Sequence, residues 1–489
     1  MIKIKCPINS AAQKFKNKPA VITPQKIFTY GDLDSYISSI RIDFRAAKIQ
    51  RNQRMAIYAS NSIDYIILLF ALWREGVVAC PVSTRYPADL LAGRLKKINC
   101  RRIFVSKECQ NIKLPPGVKK IDLEEFVHPC YCASKLPEDS FIRGENSAAV
   151  IFTSGSNGEP KAALLSFANF YYSAKGANEN VSVGPNDRWL LSLPLYHVGG
   201  LGILFRVFWG GGAVVISKKA ESIVQSVKRY RITHLSLVST QLYRLLQNNA
   251  CQALNKQLKV ILLGGSMLPC NLISAAISKR LPIYTTYGLT EMASQVTTIT
   301  NPKLLKKCVT SGKVLKYRKL KISKKSEILV KGEPLFKGYL KKGGLCRALT
   351  SDGWFKTGDL GKWAPNRHLI VYGRKDNMFI SGGENIYPEE IEAVLCRLTA
   401  IERAVVVPVL SREFSCRPIA FIKPNRKQKI TSHEISDYLA CFLEQFKIPD
   451  VFCRWPSYLD RYDFKTVRQR LKTMAQKLSD KKIKSYGSF

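Results

Sequence analysis

A glycine- and serine-rich loop that follows an apolar strand places the strongest constraint on the fold of this chain. Residues 148–152 read AAVIF, an apolar run whose length suits a buried strand. The sequence TSGSNGEPK follows at once, from Thr153 to Lys161. Small residues allow the backbone to turn and bring its N–H groups close to an anion, and the lysine adds a compact positive charge. The pattern predicts a phosphate-binding loop at the end of a strand.

Two other interpretations of this loop have to be weighed. A Walker loop requires a glycine immediately before its lysine, and this position holds Pro160, so the Walker interpretation fails. An ordinary Gly/Ser turn stays open as long as the loop is considered alone. The rest of the chain has to decide between a turn and a ligand site.

The remainder of the chain predicts alternating strands and helices. A buried strand at 55–59, a long apolar helix and a strand near 77–82 form a strand–helix–strand unit, which implies parallel pairing. Residues 27–48 predict a short strand, a turn at Gly31 and Asp32, and then an amphipathic helix. Further strands are predicted at 102–105, 231–238 and 258–263. We therefore expect an α/β fold with doubly wound sheets.

Five further motifs follow the loop in chain order. They read PLYHVGG around His197, GGS at 264–266, YGLTE at 287–291, TGD at 357–359 and GRKDN around Arg374. Together with TSGSNGEPK, these motifs resemble the adenylate-forming superfamily, which contains acyl-CoA synthetases, luciferases and the adenylation domains of peptide synthetases. The loop of that family reads roughly T-S-G-T-T-G-x-P-K. The resemblance covers most of the chain and implies a large N-terminal domain of several α/β subdomains and a small mobile α+β C-terminal domain.

The resemblance also implies cofactors and roles for individual residues. ATP, Mg²⁺ and coenzyme A are expected, with Glu291 as the metal ligand, Tyr287 against adenine and Thr290 at the α-phosphate. Asp359 and Arg374 are expected at the ribose. The residues implied to bind ATP or coenzyme A are Thr153, Ser154, Gly155, Ser156, Gly158, Lys161, Gly264, Gly265, Ser266, Tyr287, Gly288, Thr290, Asp359, Arg374, Gly382 and Gly383. The residues implied to be catalytic are Thr153, His197, Glu291 and Lys465.

The chemistry of these residue types agrees with the implied roles. A hard cation takes carboxylate and phosphate oxygens, and an aromatic face stacks on a purine. Thr290 could also simply cap a helix N-terminus, and this does not exclude a ligand role. In the family the side chain at His197 borders the acyl pocket, although a lone histidine is more often structural.

A hinge at Asp376 is implied two residues beyond Arg374, so we expect domains at 1–375 and 376–489. Gly382 and Gly383 would line the path of the pantetheine arm of coenzyme A. The family's last loop resembles P-R-T-x-x-G-K, and here the segment reads SYLDRYDFKTVRQRLK. Lys465 corresponds to its lysine, but Phe464 replaces the glycine, so adenylation is expected to be slow if this loop is degraded. A plain surface lysine is the alternative.

Composition and charge leave the class of partner open. The 77 Lys and Arg against 36 Asp and Glu give a net charge of +41, which by itself would suit nucleic acid. These charges are spread along the chain without a recognisable nucleic-acid module, so no specific nucleic acid is expected.

The lack of an apolar run of about 18 residues and of a signal-peptide pattern predicts a cytoplasmic protein without a membrane span. Fourteen cysteines without regular spacing agree with a reducing compartment, and His128, Cys130 and Cys132 are interpreted as loop residues rather than zinc ligands.

The expected activity is that of an AMP-forming acid–CoA ligase. The segments PLYHVGGLG and YGLTEMASQ resemble most closely the o-succinylbenzoate–CoA ligases of menaquinone synthesis, with Ser294 and Gln295 as candidate donors to the remote carboxylate of the acid. Alternatives are a medium-chain or aryl acyl-CoA ligase and a free-standing adenylation domain. A basic nucleic-acid-binding protein that has lost catalysis is the non-enzymatic alternative. The sequence leaves the oligomeric state open.

Overall fold

The computed structural model describes residues 2–478 except 87, 128–139, 154–159, 266–269, 302–309, 382–383, 412–413, 426–429 and 463. The helices in these ranges are α1 Pro7–Phe15, α2 Tyr30–Ser39, α3 Arg41–Ala46, α4 Ile63–Arg74, α5 Ala88–Lys97, α6 Leu123–Phe126, α7 Phe167–Asn178, α8 Val198–Gly210, α9 Ile223–Tyr230, α10 Ser239–Leu246, α11 Cys270–Ser278, α12 Pro388–Leu395, α13 Ser432–Ala440 and α14 Phe464–Leu478.

The strands in the same ranges are β1 Lys3–Lys5, β2 Pro19–Ile22, β3 Ile27–Thr29, β4 Arg54–Tyr58, β5 Val78–Pro81, β6 Arg102–Val105, β7 Lys119–Asp122, β8 Phe141–Arg143, β9 Ser147–Thr153, β10 Lys161–Ser166, β11 Arg188–Leu190, β12 Ala213–Val215, β13 His234–Leu237, β14 Val260–Leu263, β15 Ile283–Leu289, β16 Ser294–Thr298, β17 Lys313–Val314, β18 Arg318–Ile322, β19 Glu327–Gly332, β20 Gly338–Lys341, β21 Gly344–Cys346, β22 Phe355–Ala364, β23 His368–Arg374, β24 Phe379–Ser381, β25 Glu384–Ile386, β26 Ile401–Ser411, β27 Ser415–Pro424 and β28 Val451–Arg454.

Two large sheets form the framework of residues 2–374. The first has the strand order β21-β20-β10-β9-β5-β4-β6-β7, and the second has the order β17-β16-β15-β14-β13-β11-β12-β2-β3. In the first, β4 and β5 are parallel and flank α4 in the chain, so the predicted strand–helix–strand unit is confirmed. The long central run of the second sheet, from β15 to β2, is also parallel.

Helices α4 and α8 are buried between these sheets. Both are apolar around their whole circumference, which is the pattern of a helix without a solvent face. One continuous core contains Phe70 of α4, Phe205 of α8, Ile151 of the first sheet and Val214 of the second. Residues on both sheets therefore reach the same interior, and the carboxyl ends of the parallel strands can contribute to one site.

Four smaller sheets complete the described chain, and two of them are the strand pairs β1–β8 and β24–β25. Strands β18, β19, β22 and β23 form an antiparallel sheet, and β26, β27 and β28 form a three-stranded sheet. The apolar side chains of residues 379–475 form two cores of their own. No helix in the described ranges is long and apolar enough to cross a membrane.

One local prediction was wrong, and one alternative is not seen. Gly31 and Asp32 lie in the first turn of α2 and not in a separate turn, because Thr29 caps this helix. The Thr29 hydroxyl accepts from the backbone N–H of Asp32, and the Asp32 carboxylate accepts from the backbone N–H of Thr29. Thr290 is the first residue of a short 3₁₀ helix, and the preceding Leu289 holds the capping position. A capping role for Thr290 is therefore not seen.

Candidate active site

The ends of the predicted phosphate loop are held by two antiparallel strands. Thr153 at the end of β9 lies opposite Lys161 at the start of β10. The loop residues Ser154, Gly155, Ser156 and Gly158 fall outside the described residues. The Nζ of Lys161 lies 5.3 Å from the ring centroid of Tyr339 on the neighbouring strand β20. This geometry fixes the position of one cation beside the loop.

Tyr339 connects this cation to Glu291. The Tyr339 hydroxyl donates a hydrogen bond to Oε1 of Glu291, whose side chain is 9% exposed. Burial raises the pKa of Glu291, and the hydrogen bond from Tyr339 partly offsets this effect. Within the described ranges Glu291 forms no ion pair, and no cluster of three or more His, Cys, Asp or Glu residues could hold a metal. A single buried carboxylate without a cation fits Mg²⁺ that takes its remaining ligands from phosphate and water.

The two predicted ribose residues lie opposite each other on adjacent strands. Asp359 of β22 is paired in register with Arg374 of β23, and Arg374 Nη1 donates to Asp359 Oδ1 at 2.9 Å. The hydroxyl of Tyr287 donates to the other oxygen, Oδ2, at 2.7 Å. Burial raises the pKa of Asp359, while Arg374 lowers it. The structure thus places the three predicted nucleotide residues in one hydrogen-bonded unit.

Two of the predicted glycines, Gly264 and Gly288, stand where neighbouring atoms leave no room for a Cβ. A Cβ on Gly264 would come within 2.7 Å of Thr286 Cγ2, and a Cβ on Gly288 would come within 2.2 Å of the Ser294 carbonyl oxygen. Gly265 adopts a φ of +85°, which favours glycine, and the space beside it is more open. Ser266, predicted with them, lies outside the described residues.

His197 stands at the N-terminus of α8, at the end of a loop that is firmly held. Its ring contacts that of Tyr196, with the centroids 4.7 Å apart. Loss of hydration and the positive charge of Arg85 lower the pKa of His197. The side chain of Asn61 donates to the Leu193 carbonyl at 2.9 Å and accepts from the Leu195 N–H at 3.0 Å. No sequence pattern indicated this role of Asn61, since the two segments are far apart in the chain.

A buried arginine beside this region was missed by the sequence analysis. Arg206 of α8 is 2% exposed and forms no ion pair in the described part of the chain. Its Nη1 donates to Oε1 of Gln295 at 2.8 Å, and its Nε has no acceptor. A Cβ placed on Gly202 would lie 3.3 Å from Arg206 Nη1 and 3.5 Å from Ser294 Oγ. The Arg206 guanidinium and the Ser294 hydroxyl therefore both lie beside Gly202.

The Arg206 guanidinium lies 5.0 Å from the ring centroid of Trp189, but no described carboxylate pairs with it. A buried charge without an opposite charge is costly, on the order of several kcal/mol, so Arg206 indicates an anionic ligand. Burial lowers its pKa to about 10, which leaves it protonated at neutral pH. The available signal in the sequence was that Arg206 is the lone charged residue of the apolar segment VGGLGILFRVFWG. Gln295 was predicted to contact the ligand directly, but its Nε2 donates to Thr298 Oγ1 at 2.7 Å.

The predicted residues of the C-terminal part are less completely described. Lys465 lies in the first turn of α14, and Gly382 and Gly383 fall outside the described residues. The loop containing His128, Cys130 and Cys132 is also outside them. Lys447, another lysine of this part, forms ion pairs with Glu390 and Glu444.

The chain belongs to the family of AMP-binding enzymes, whose family model matches residues 8–340. It is 30% identical to a 2-succinylbenzoate–CoA ligase of Geobacillus sp. (strain WCH70), over 88% of this chain and 91% of that protein. It is also 30% identical to a 2-succinylbenzoate–CoA ligase of Staphylococcus epidermidis strain RP62A, over 98% of this chain and 97% of that protein.

Solved structures give the same result for the fold. The o-succinylbenzoate CoA synthetase (MenE) of Bacillus subtilis in complex with the acyl-adenylate intermediate OSB-AMP is similar with a TM-score of 0.84 and 27% identity, covering 96% of this chain and 99% of that one. The structure of that enzyme with ATP and magnesium ion is similar with a TM-score of 0.80 and 28% identity, covering 93% and 96%. The predicted α/β fold of adenylate-forming enzymes, with a small C-terminal domain, is confirmed.

Proposed function

We propose that this chain is an AMP-forming acid–CoA ligase and that its acid is o-succinylbenzoate. The observation that carries this proposal is the position of the β15–β16 hairpin between two sites. On one side, Tyr287 donates a hydrogen bond to Asp359, and Glu291 accepts one from Tyr339. On the other side, Gln295 accepts a hydrogen bond from the buried cation Arg206. An acid with a second, remote carboxylate would connect the two sites. The similar enzymes that carry this activity over nearly their whole length support the same conclusion.

In the first half-reaction a carboxylate oxygen of the acid attacks the α-phosphorus of ATP, and pyrophosphate leaves. Lys161 and the loop before it neutralise the departing pyrophosphate, and Glu291 holds Mg²⁺, which offsets the phosphate charge. Asp359 and Arg374 hold the ribose, Tyr287 lies against adenine, and Thr290 contacts the α-phosphate. These groups orient the two reactants, and no protein nucleophile is required.

Arg206 supplies the charge that recognises the remote carboxylate of o-succinylbenzoate. It is buried, it has no carboxylate partner among the described residues, and it shares a wall with Ser294 and Gly202. His197 lies at the N-terminus of the same helix, and the family resemblance places its side chain at the border of the acyl pocket. A neutral medium-chain acid would leave this cation unpaired, so Arg206 favours a dianionic acid over the alternative acyl-CoA ligases.

In the second half-reaction the sulfur of coenzyme A attacks the acyl carbon of the adenylate, and AMP leaves. We propose that residues 376–489 form a lid that turns about Asp376 between the two half-reactions. The separate apolar cores of residues 379–475 support this boundary. Lys465 acts in the first half-reaction, and Gly382 and Gly383 line the coenzyme A path in the second.

The cytoplasm is the proposed compartment. The cysteines of the described ranges carry free thiols, and several of them are buried, including Cys6, Cys80 and Cys251. Free buried thiols agree with a reducing environment, where ATP and coenzyme A are also supplied.

The proposed activity is tested by measuring AMP and pyrophosphate release from ATP with purified protein and o-succinylbenzoate, with and without coenzyme A. We expect coenzyme A to be required for sustained AMP release, and Glu291→Gln to reduce the rate at least about 100-fold. AMP release that needs a carrier-protein thiol instead would support a free-standing adenylation domain. Salt-sensitive binding of nucleic acid without AMP release from any acid would contradict the enzymatic assignment.

A further inference from the structure

Two buried arginines, neither paired with a carboxylate in the described residues, lie on either side of Gln295. Arg206 is 2% exposed and Arg318 is 6% exposed. Burial lowers the pKa of Arg318, and the positive charge of Arg206 lowers it further, to about 9. Like charges in a buried region repel, so an arrangement of this kind needs acceptors that hold each guanidinium in place. Gln295 supplies one acceptor to each of them.

Arg318 is satisfied by fixed acceptors. Its Nε donates to the Gln295 carbonyl at 2.6 Å, its Nη1 to the Lys316 carbonyl at 2.8 Å, and its Nη2 to the carbonyl and hydroxyl oxygens of Ser173 at 2.9 and 3.0 Å. The packing around it is tight, since a Cβ on Gly176 would lie 2.6 Å from Arg318 Nη1. Arg318 therefore fixes the backbone at Gln295.

The side chain of Gln295 is fixed in turn. Its Nε2 donates to Thr298 Oγ1 at 2.7 Å, and the Thr298 hydroxyl donates to the Thr297 carbonyl at 2.7 Å. The amide can therefore offer only its oxygen to Arg206, which donates to it at 2.8 Å. Gln295 is 3% exposed, so water does not compete for this contact.

We propose that Gln295 is the positioning residue that orients Arg206 toward the acyl pocket while leaving its charge uncompensated. A neutral amide oxygen holds the guanidinium in one orientation without cancelling its charge, whereas a carboxylate at the same place would form an internal ion pair. Gln295 thereby sets the preference for an acid with a remote carboxylate. This inference rests on the proposed function, because it requires an anionic acid in that pocket.

Gln295→Glu tests the inference with a side chain of the same shape. The two substrates are o-succinylbenzoate and its monoester with the unreacted carboxylate blocked, compared by kcat/KM for AMP release. In the wild type the diacid should be preferred about 100-fold or more. In Gln295→Glu this preference should fall to within about threefold, through a higher KM for the diacid, and kcat/KM for the monoester should fall much less than kcat/KM for the diacid.

Two controls make the result specific. Gln252→Glu adds the same charge at an exposed position and should behave as the wild type. Gln295→Met removes the acceptor without adding charge and should weaken the preference about tenfold, and it carries the test if Gln295→Glu does not fold.

The outcomes separate the inference from the proposed function. If the wild type itself does not prefer the diacid, the proposed function fails. If the wild type prefers it and both variants at Gln295 keep the full preference, the inference is overturned. An equal loss for diacid and monoester in a folded variant would also overturn it, because that result indicates a purely structural role.

Discussion

At Glu291 a buried carboxylate has a neutral hydrogen-bond donor, the hydroxyl of Tyr339, and no ion pair among the described residues. The two effects on its pKa have opposite signs. Burial raises the pKa, and the hydrogen bond lowers it by stabilising the charged form. Protonated Glu291 cannot hold Mg²⁺, so kcat/KM for ATP should fall as the pH decreases through this pKa.

Tyr339→Phe should move that acidic limb to higher pH, because it removes the donor that lowers the pKa of Glu291 and keeps the ring beneath Lys161. The measurement is the pH profile of ATP–pyrophosphate exchange for the wild type and the variant. Tyr243→Phe, which removes a hydroxyl from an exposed ring, serves as the matched control and should leave the profile in place. An acidic limb that stays unchanged or moves to lower pH in Tyr339→Phe would show that Glu291 does not control it.

At the residue scale, the sequence predicted which residues form the site better than it predicted which side chains they contact. Tyr287, Glu291, Asp359 and Arg374 were all found through motifs, and the structure brings them into one region. Arg206 was not found, because a charge in an apolar helix shows neither its burial nor whether a carboxylate from a distant strand compensates it. Those properties depend on packing that only the fold establishes.

At the scale of elements, the antiparallel β15–β16 hairpin contains a register shift between Tyr287 and Gly288, where its two strands come very close. Ala293 and Ser294 have φ values of 50° and 119°, which are unusual for residues with side chains. Gly288 faces the Ser294 carbonyl so closely that no Cβ fits between them. Near this close approach, Glu291 accepts a hydrogen bond from Tyr339, and Gln295 accepts one from Arg206.

Gly288→Ala should therefore impair both sites together. We expect a stability loss of about 1–3 kcal/mol from overpacking, and at least a tenfold lower kcat/KM for ATP and for the acid. Thermal unfolding and steady-state kinetics measure the two effects. Gly343→Ala is the matched control, because a Cβ there meets no atom within 4 Å. Wild-type kinetics in Gly288→Ala would mean that the hairpin does not need this close approach.

Helices and strands were predictable where the local pattern of apolar residues determines them. The strand–helix–strand unit at β4–α4–β5 follows from its pattern of apolar residues. Strand β10 was not anticipated, although it forms one side of the phosphate loop. It pairs with β20, where Ala162 lies opposite Leu340, and sequence patterns do not contain such long-range pairing.

At the scale of the whole molecule, the two parts of the chain meet next to the proposed hinge. A Cβ on Gly373 of β23 would lie 2.5 Å from Glu389 Oε2 of α12, and the rings of Tyr372 and Tyr387 stack with centroids 6.0 Å apart. The contact joins the strand that carries Arg374 to the first helix of the proposed lid. The boundary at 375 and 376 was predicted from the resemblance, since composition does not change there.

Lys465→Ala should separate the half-reactions if the lid presents this lysine during adenylation. Adenylation should fall at least about 100-fold, and thioester formation from supplied acyl-adenylate should stay within about threefold of the wild type. Pyrophosphate exchange and single-turnover thioester formation measure the two steps. Lys472→Ala, an exposed lysine of the same helix, is the control. Equal loss of both steps in folded Lys465→Ala would exclude Lys465 as the adenylation lysine.

The most direct test of the whole account is the specificity of the complete reaction. The measurement is kcat/KM for thioester formation from ATP and coenzyme A with o-succinylbenzoate, benzoate and octanoate, with the product identified by mass. We predict o-succinylbenzoyl-CoA as the preferred product by at least about 100-fold, because the acids without a second carboxylate leave Arg206 unpaired. Benzoate or octanoate performing as well as o-succinylbenzoate would contradict the assignment of the acid and leave a general acyl-CoA ligase.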